Sequence, residues 1–163
     1  MEASGTVNYG ESEYQFGSDD SYAVLDWGRG VWPEEFEWGW AVAHGHSDGR
    51  RIGINIGFGE EDPSRGSGNA VVVDGILHKL GPIPWTRDPD DIMAPWTFTS
   101  DDGRFDVTLI PFFDQSNEID LIEYSTEIFK VHGWMNGTIV LDDGSELQFE
   151  NIIGFAEHCF QQW

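Results

Sequence analysis

Lysine is nearly absent from this chain: Lys79 and Lys130 stand with six arginines against 30 acids, for a formal net charge of −22 over 163 residues. A field of that sign repels nucleic-acid phosphates and anionic lipid, so neither nucleic acid nor a membrane is expected as a partner. Cysteine is scarcer still. Cys159 stands alone, which rules out an intrachain disulfide and leads us to expect a reducing, cytoplasmic compartment. No apolar run reaches the ~18 residues of a membrane helix. The start, Met1-Glu2-Ala3-Ser4-Gly5-Thr6, lacks the basic and apolar regions of a signal peptide. Phosphate-cradling glycine loops, a nucleophile elbow and a cysteine-nucleophile motif are also missing, and no cofactor is expected.

What the chain does have is bulk. Eight Trp, 11 Phe and 4 Tyr within 39% hydrophobic content are too much for a disordered chain. One domain spanning 1–163 is expected, of a size that buries roughly 70% of its unfolded surface without metal or disulfide. Four Asp-Gly pairs, at Asp48, Asp74, Asp102 and Asp143, sit between apolar or alternating runs and mark hairpins. They pair Ala70–Val73 with Ile76–Leu80, Trp96–Thr99 with Phe105–Ile110, and Gly137–Leu141 with Ser145–Phe149. Period-2 alternation adds a strand with Phe36, Trp38, Trp40 and Val42 on one face. In another, Ile52, Ile54, Ile56 and Phe58 lie opposite Gly53, Asn55, Gly57 and Gly59. Tyr14–Phe16, Ala23–Trp27, Leu121–Val131 and Ile152–His158 complete nine or ten strands with no helix. The expected fold is all-β, an antiparallel up-and-down barrel or strongly curved sheet. The long stretch from Gly81 to Pro95 reads as a lid or interaction arm.

Several segments resemble an uncharacterised bacterial and archaeal family of domains of unknown function. They are Leu25-Asp26-Trp27-Gly28-Arg29-Gly30-Val31-Trp32-Pro33, Gly53-Ile54-Asn55-Ile56-Gly57, Val73-Asp74-Gly75-Ile76-Leu77-His78-Lys79-Leu80, Pro95-Trp96-Thr97-Phe98-Thr99-Ser100 and Gly154-Phe155-Ala156-Glu157. The resemblance implies kinship with lipocalin-like proteins such as carotenoid 1,2-hydratase and fungal pericyclases, hence a calycin-type barrel and a hydrophobic ligand. It also implies that this chain matches the C-terminal half of longer relatives. Where those read Thr-Glu-Asn, this chain has Ser67-Gly68-Asn69, which keeps Asn69 as a polar candidate and loses a carboxylate.

Asp26 and Arg29 are the first candidate catalytic pair, because flanking glycines let a five-donor guanidinium turn beside a carboxylate. The competing reading is a pair that braces a loop. Glu157 is the third catalytic candidate. It alternates with His158, so the two point to opposite faces; an inward Glu157 becomes a proton donor by burial, and the competing reading pairs Glu157 with an arginine. Ligand-binding candidates are Trp27, Trp38, Trp40, Asn55, Asn69 and His158, with Asn55 on a glycine-lined face that either admits a ligand or accommodates a neighbouring tryptophan. His44 and His46 share a strand face but lack a clear third ligand, so no metal is expected.

Three functions compete. One is a barrel that binds a hydrophobic or amphipathic small molecule. The second is a cofactor-independent hydratase, isomerase or cyclase acting on such a molecule, and the third is an assembly domain. As protein partner, a second copy of the chain or a separately encoded N-terminal half is expected. The acids are scattered through nearly every segment, which fits a surface suited to concentrated salt better than a tail that seeks a cation. The thermal midpoint should therefore rise from dilute buffer to molar KCl in a scanning-calorimetry series. A flat profile would contradict the salt-adapted reading.

Overall fold

The computed structural model describes residues 1–59, 67–121 and 123–163, in two compact units divided after Val31. The first unit holds one hairpin, β1 (Gly5–Tyr9) paired with β2 (Ser12–Phe16), turning at Gly10 with φ 61°. Its register puts Val7, Tyr9, Tyr14 and Phe16 on one face, exposed by 45–79%. Thr6 and Gln15 occupy the other, where the Thr6 hydroxyl donates to Gln15 Oε1 at 2.9 Å. Ala3 and Ala23 donate to the carbonyls of Ser21 and Met1 and tie the ends of the unit together. The strand expected over Ala23–Trp27 does not form. Strand preference reflects fit to a half-buried pleated surface, and Leu25 and Trp27 find none, remaining 75% and 77% exposed.

The second unit is a single antiparallel sheet, strongly curled into a half-barrel, with no helix among the described residues. Its strands are β3 (Glu35–Ser47), β4 (Arg50–Phe58), β5 (Ala70–Val73), β6 (Ile76–Lys79), β7 (Trp85–Thr86), β8 (Trp96–Thr99), β9 (Phe105–Asp114), β10 (Asn117–Leu121), β11 (Tyr124–Val140) and β12 (Glu146–Gln162). They form two meanders, β3 to β6 and β7 to β12, joined by the β3–β12 ladder. The three hairpins expected from Asp-Gly turns are present, with pairings such as Val73–Ile76, Thr99–Asp106 and Val140–Glu146. Asp48-Gly49 and Asp74-Gly75 carry positive φ at both residues, as a two-residue turn that follows strand twist requires.

Leu121–Val131 and Gly137–Leu141, expected as separate strands, belong almost entirely to the 17-residue β11; Ser145–Phe149 and Ile152–His158 likewise merge in β12. The apparent break is a bulge. Pairing shifts between Met135 and Gly137, Asn151 adopts φ 57°, and its N–H donates to Asn136 Oδ1 at 2.8 Å.

The concave side holds the core: Ile52, Ile54 and Ile56 of β4 lie in one buried cluster with Phe98, Leu109 and Met135. From β3 this side receives small residues, Ala41 and Ala43, so Trp38, Trp40 and Val42 alternate onto the convex face.

Among the described residues β6 and β7 are the sheet's edges and do not pair. They are consecutive in the chain, and the segment between them crosses the gap. Leu80 and Ile83 are buried in the core cluster, and Trp85 packs against it. Gly81–Pro95 is thus in part a seam rather than a lid or arm, because an unpaired gap in a curled sheet needs apolar filling. Arg104 clasps the seam from outside. Its guanidinium donates to the carbonyls of Val140 and Lys79, each at 3.1 Å, and to Asp142 Oδ1 at 2.6 Å. Arg104→Ala should cost on the order of 2 kcal/mol in urea denaturation through the two carbonyls left without their donor. The Arg104 hydrogen bond also holds the Asp142 carboxyl below its ordinary value. That contribution is complete above the usual carboxylate range and is lost as pH falls below about 4. Stability of the wild type should therefore fall on acidification below pH 4 more steeply than that of Asp142→Asn.

Candidate functional site

The sheet opens at the end away from the Asp48-Gly49 turn. Strand register sets the concave lining there, because directly paired residues project to the same face. One row reads Phe58, Gly39, His158 and Phe129 across β4, β3, β12 and β11. The next outward reads Glu37, Phe160, Glu127 and Glu118 across β3, β12, β11 and β10. Gly39 is required where it stands: a Cβ would lie 2.2 Å from Phe58 Cε1, so its absence lets the Phe58 ring cross β3. That ring meets His158 at 5.4 Å and Trp85 at 5.2 Å, both edge to face, while Phe160 lies 4.6 Å from His158.

The polar groups at this mouth are few. His158 Nε2–H donates to Glu37 Oε1 at 2.8 Å, with side chains 20% and 52% exposed. Arg87 lays its guanidinium over Phe129 at 4.0 Å and Trp96 at 5.8 Å; its hydrogen bond is a 3.5 Å contact to the Asp88 carbonyl. Trp85 Nε1 is buried with no hydrogen-bond partner among the described residues. Beyond Glu37 and Phe160 lies a cleft of about 580 Å³, which Glu35, Glu118, Asp120 and Glu127 also line. Among the described residues no Lys or Arg faces that cleft, and its rim is acidic. Aromatic walls, an imidazole held by a carboxylate and an unused buried donor suit a molecule with an apolar body and a polar end.

A family model described as a domain of unknown function (DUF2804) matches residues 1–163. The chain belongs to that family. No curated protein and no solved structure matches it. In this member of the family, the residues singled out from sequence fall in three places.

The structure brings Trp38, Trp40, Asn55 and Glu157 together on the convex face. Trp40 Nε1 donates to Asn55 Oδ1 at 2.9 Å, and Asn55 Nδ2 to the Gly68 carbonyl at 3.1 Å. Trp38 Nε1 donates to Glu157 Oε1 at 3.4 Å. The partner of Glu157 is a lysine and not the expected arginine: Lys130 Nζ donates to Glu157 Oε2 at 2.8 Å and sits 4.3 Å from the Phe155 ring centre. The glycine-lined face of β4 is occupied by protein: His44 abuts Gly53, and the Gly39 carbonyl abuts Gly57. Asn69 is buried beside this group, accepting from the Gly57 N–H at 2.7 Å and donating to the Gly81 carbonyl at 3.0 Å. Nearby, burial pushes the Cys159 thiol up to about 11, which leaves it no use as a nucleophile.

His158 faces the concave mouth, opposite Glu157 as strand alternation requires. Asp26, Trp27 and Arg29 lie exposed in the first unit, and among the described residues no hydrogen bond or ion pair joins Asp26 to Arg29. His44 and His46 share their strand face, and no group of three His, Cys, Asp or Glu among the described residues is placed to hold a metal ion.

Sequence reasoning missed Glu37, Phe58, Trp85, Arg87, Phe129 and Phe160 at the mouth. Trp85-Thr86-Arg87 does alternate, but flanking prolines and aspartates give it the look of a loop. The others become neighbours only through the β3–β4, β3–β12 and β11–β12 registers.

The convex cluster is internally satisfied, and its ion pair is mostly buried, with Lys130 24% and Glu157 14% exposed. Lys130→Ala should destabilise the fold by about 2–3 kcal/mol because it strands the carboxylate. Lys130→Met combined with Glu157→Leu should recover most of that loss. A double variant no better than the single one would contradict a structural role for the pair.

Proposed function

We propose that this domain binds an amphipathic small molecule at the mouth of the half-barrel, with its apolar body against Phe58, Phe129 and Phe160. The carrying observation is the His158–Glu37 pair, set between aromatic rings at the edge of the 580 Å³ cleft. Three features support the reading. Phe58 and Phe160 are held partly open to solvent, 38% and 36% exposed, instead of being packed into the core. The deeper concave face is filled by the core cluster, so a ligand rests at the rim and does not enter a hollow barrel. The acidic rim disfavours an anionic ligand and admits a neutral or cationic one. Kinship with lipocalin-like binding proteins belongs to the same reading, because those too use one end of a curled sheet.

The test is a fluorescence titration with the neutral probe N-phenyl-1-naphthylamine in molar KCl. Phe160→Ala should weaken binding by about tenfold, the scale of one lost aromatic contact. Trp27→Ala, in the first unit, should leave it unchanged. Equal binding by wild type and Phe160→Ala would place the ligand elsewhere.

A further inference from the structure

The same mouth has the parts of a proton-transfer site. We infer that His158 acts as a general base, oriented by Glu37, on a ligand that carries an enolisable carbonyl; this rests on the mouth being the binding site. Nε2–H of His158 is engaged by Glu37 at 2.8 Å, which fixes the tautomer with its lone pair on Nδ1. Among the described residues Nδ1 has no hydrogen-bond partner. A carboxylate behind an imidazole with a free second nitrogen is the general arrangement for accepting a proton, since the carboxylate stabilises the imidazolium that forms. The ring is held from two sides by Phe58 and Phe160, so the free nitrogen keeps one direction.

The carbonyl follows from the donors at the same ring cluster. Phe58 touches both His158 and Trp85, and the Trp85 indole N–H is buried without an acceptor among the described residues. An unpaired buried donor carries a desolvation cost that a ligand oxygen relieves. Arg87, also resting on Trp96, makes no ion pair among the described residues, in a chain with an excess of carboxylates. These two donors suit an oxygen that gains negative charge during reaction. The acidic rim selects a neutral carbonyl over a free carboxylate at the point of entry.

The step balances without a co-reactant. The C–H bond next to the carbonyl breaks, Nδ1 takes the proton, and the electron pair moves into an enolate with its charge on oxygen. The imidazolium then returns a proton to the same carbon, giving exchange with solvent, or to a conjugated carbon, giving a double-bond shift.

The experiment uses the full chain in D2O with molar KCl and 2-decanone as probe, following loss of the protons beside the carbonyl by NMR. Saturation transfer in the same tubes reports binding. General-base catalysis predicts exchange about 100-fold above buffer with wild type. His158→Gln should return the rate to that of buffer while the ketone still binds. Glu37→Gln, at a half-exposed and readily tolerated position, should lower the saturating rate about tenfold without moving the half-saturating concentration. Trp85→Phe should lower it similarly. Ketone that binds without exchange, or His158→Gln that exchanges like wild type, overturns the proposal and leaves the binding site standing. Ketone that neither binds nor exchanges also overturns it, and the naphthylamine titration then shows whether the mouth survives as a site.

Discussion

The ladder between β3 and β12 is the constraint on which the rest depends. Every other pairing in the large sheet joins strands that follow one another closely in the chain, as hairpin neighbours do. β3 and β12 come from its two ends, with His44 opposite Ile153 and Glu35 opposite Gln162. Because side chains alternate with a period of two, a slip of one residue here would exchange the faces of one whole meander relative to the other. Ala41 would leave the core and Trp40 would enter it. The same register brings Glu37 beside Phe160 and seats His158 over Gly39, so the mouth and the core are specified by one set of hydrogen bonds.

The few cations are placed where carboxylates or carbonyls would otherwise go unanswered. Arg104 holds the seam, Lys130 neutralises the least exposed carboxylate of the convex cluster, and Arg50 anchors Asp74 beside the β5–β6 turn. A strongly acidic surface is compatible with a stable fold when such braces sit at junctions between strands. Arg87 departs from this economy, because its guanidinium is spent on aromatic rings at the mouth.

Local chemistry made much of the sheet legible in the sequence. Asp-Gly turns located the hairpins because their positive φ values suit few other residues, and the Ile52–Ile56 alternation identified the inner face of β4. The bulge at Asn136 was not legible, since a polar residue next to glycine reads as a break whether or not the partner strand continues past it. The tryptophans of β3 read as ligand-binding candidates, yet they lie on the outer face, because the inner face of β3 takes Ala41, Ala43 and, under the Phe58 ring, Gly39. At the site, alternation separated Glu157 from His158 correctly, but nothing in either strand alone indicated that Glu37 would be the partner of His158. The Asp26-Arg29 segment is a conspicuous motif whose residues the structure leaves exposed, with no hydrogen bond or ion pair between them among the described residues.

The seam deserves a last physical comparison with a fully closed barrel. Opening a closed barrel breaks a row of backbone hydrogen bonds in concert, so local opening approaches the cost of global unfolding. Here the gap between β6 and β7 is filled by buried Leu80 and Ile83, Arg104 ties β6 to the end of β11, and among the described residues no ladder joins the two edges. Such a wall can breathe on its own as a separate low-energy cooperative unit while the β3–β12 spine stays shut. Solvent exchange of its amides is thereby decoupled from unfolding, and the fold gains a hinge where a complete barrel would have a rigid wall.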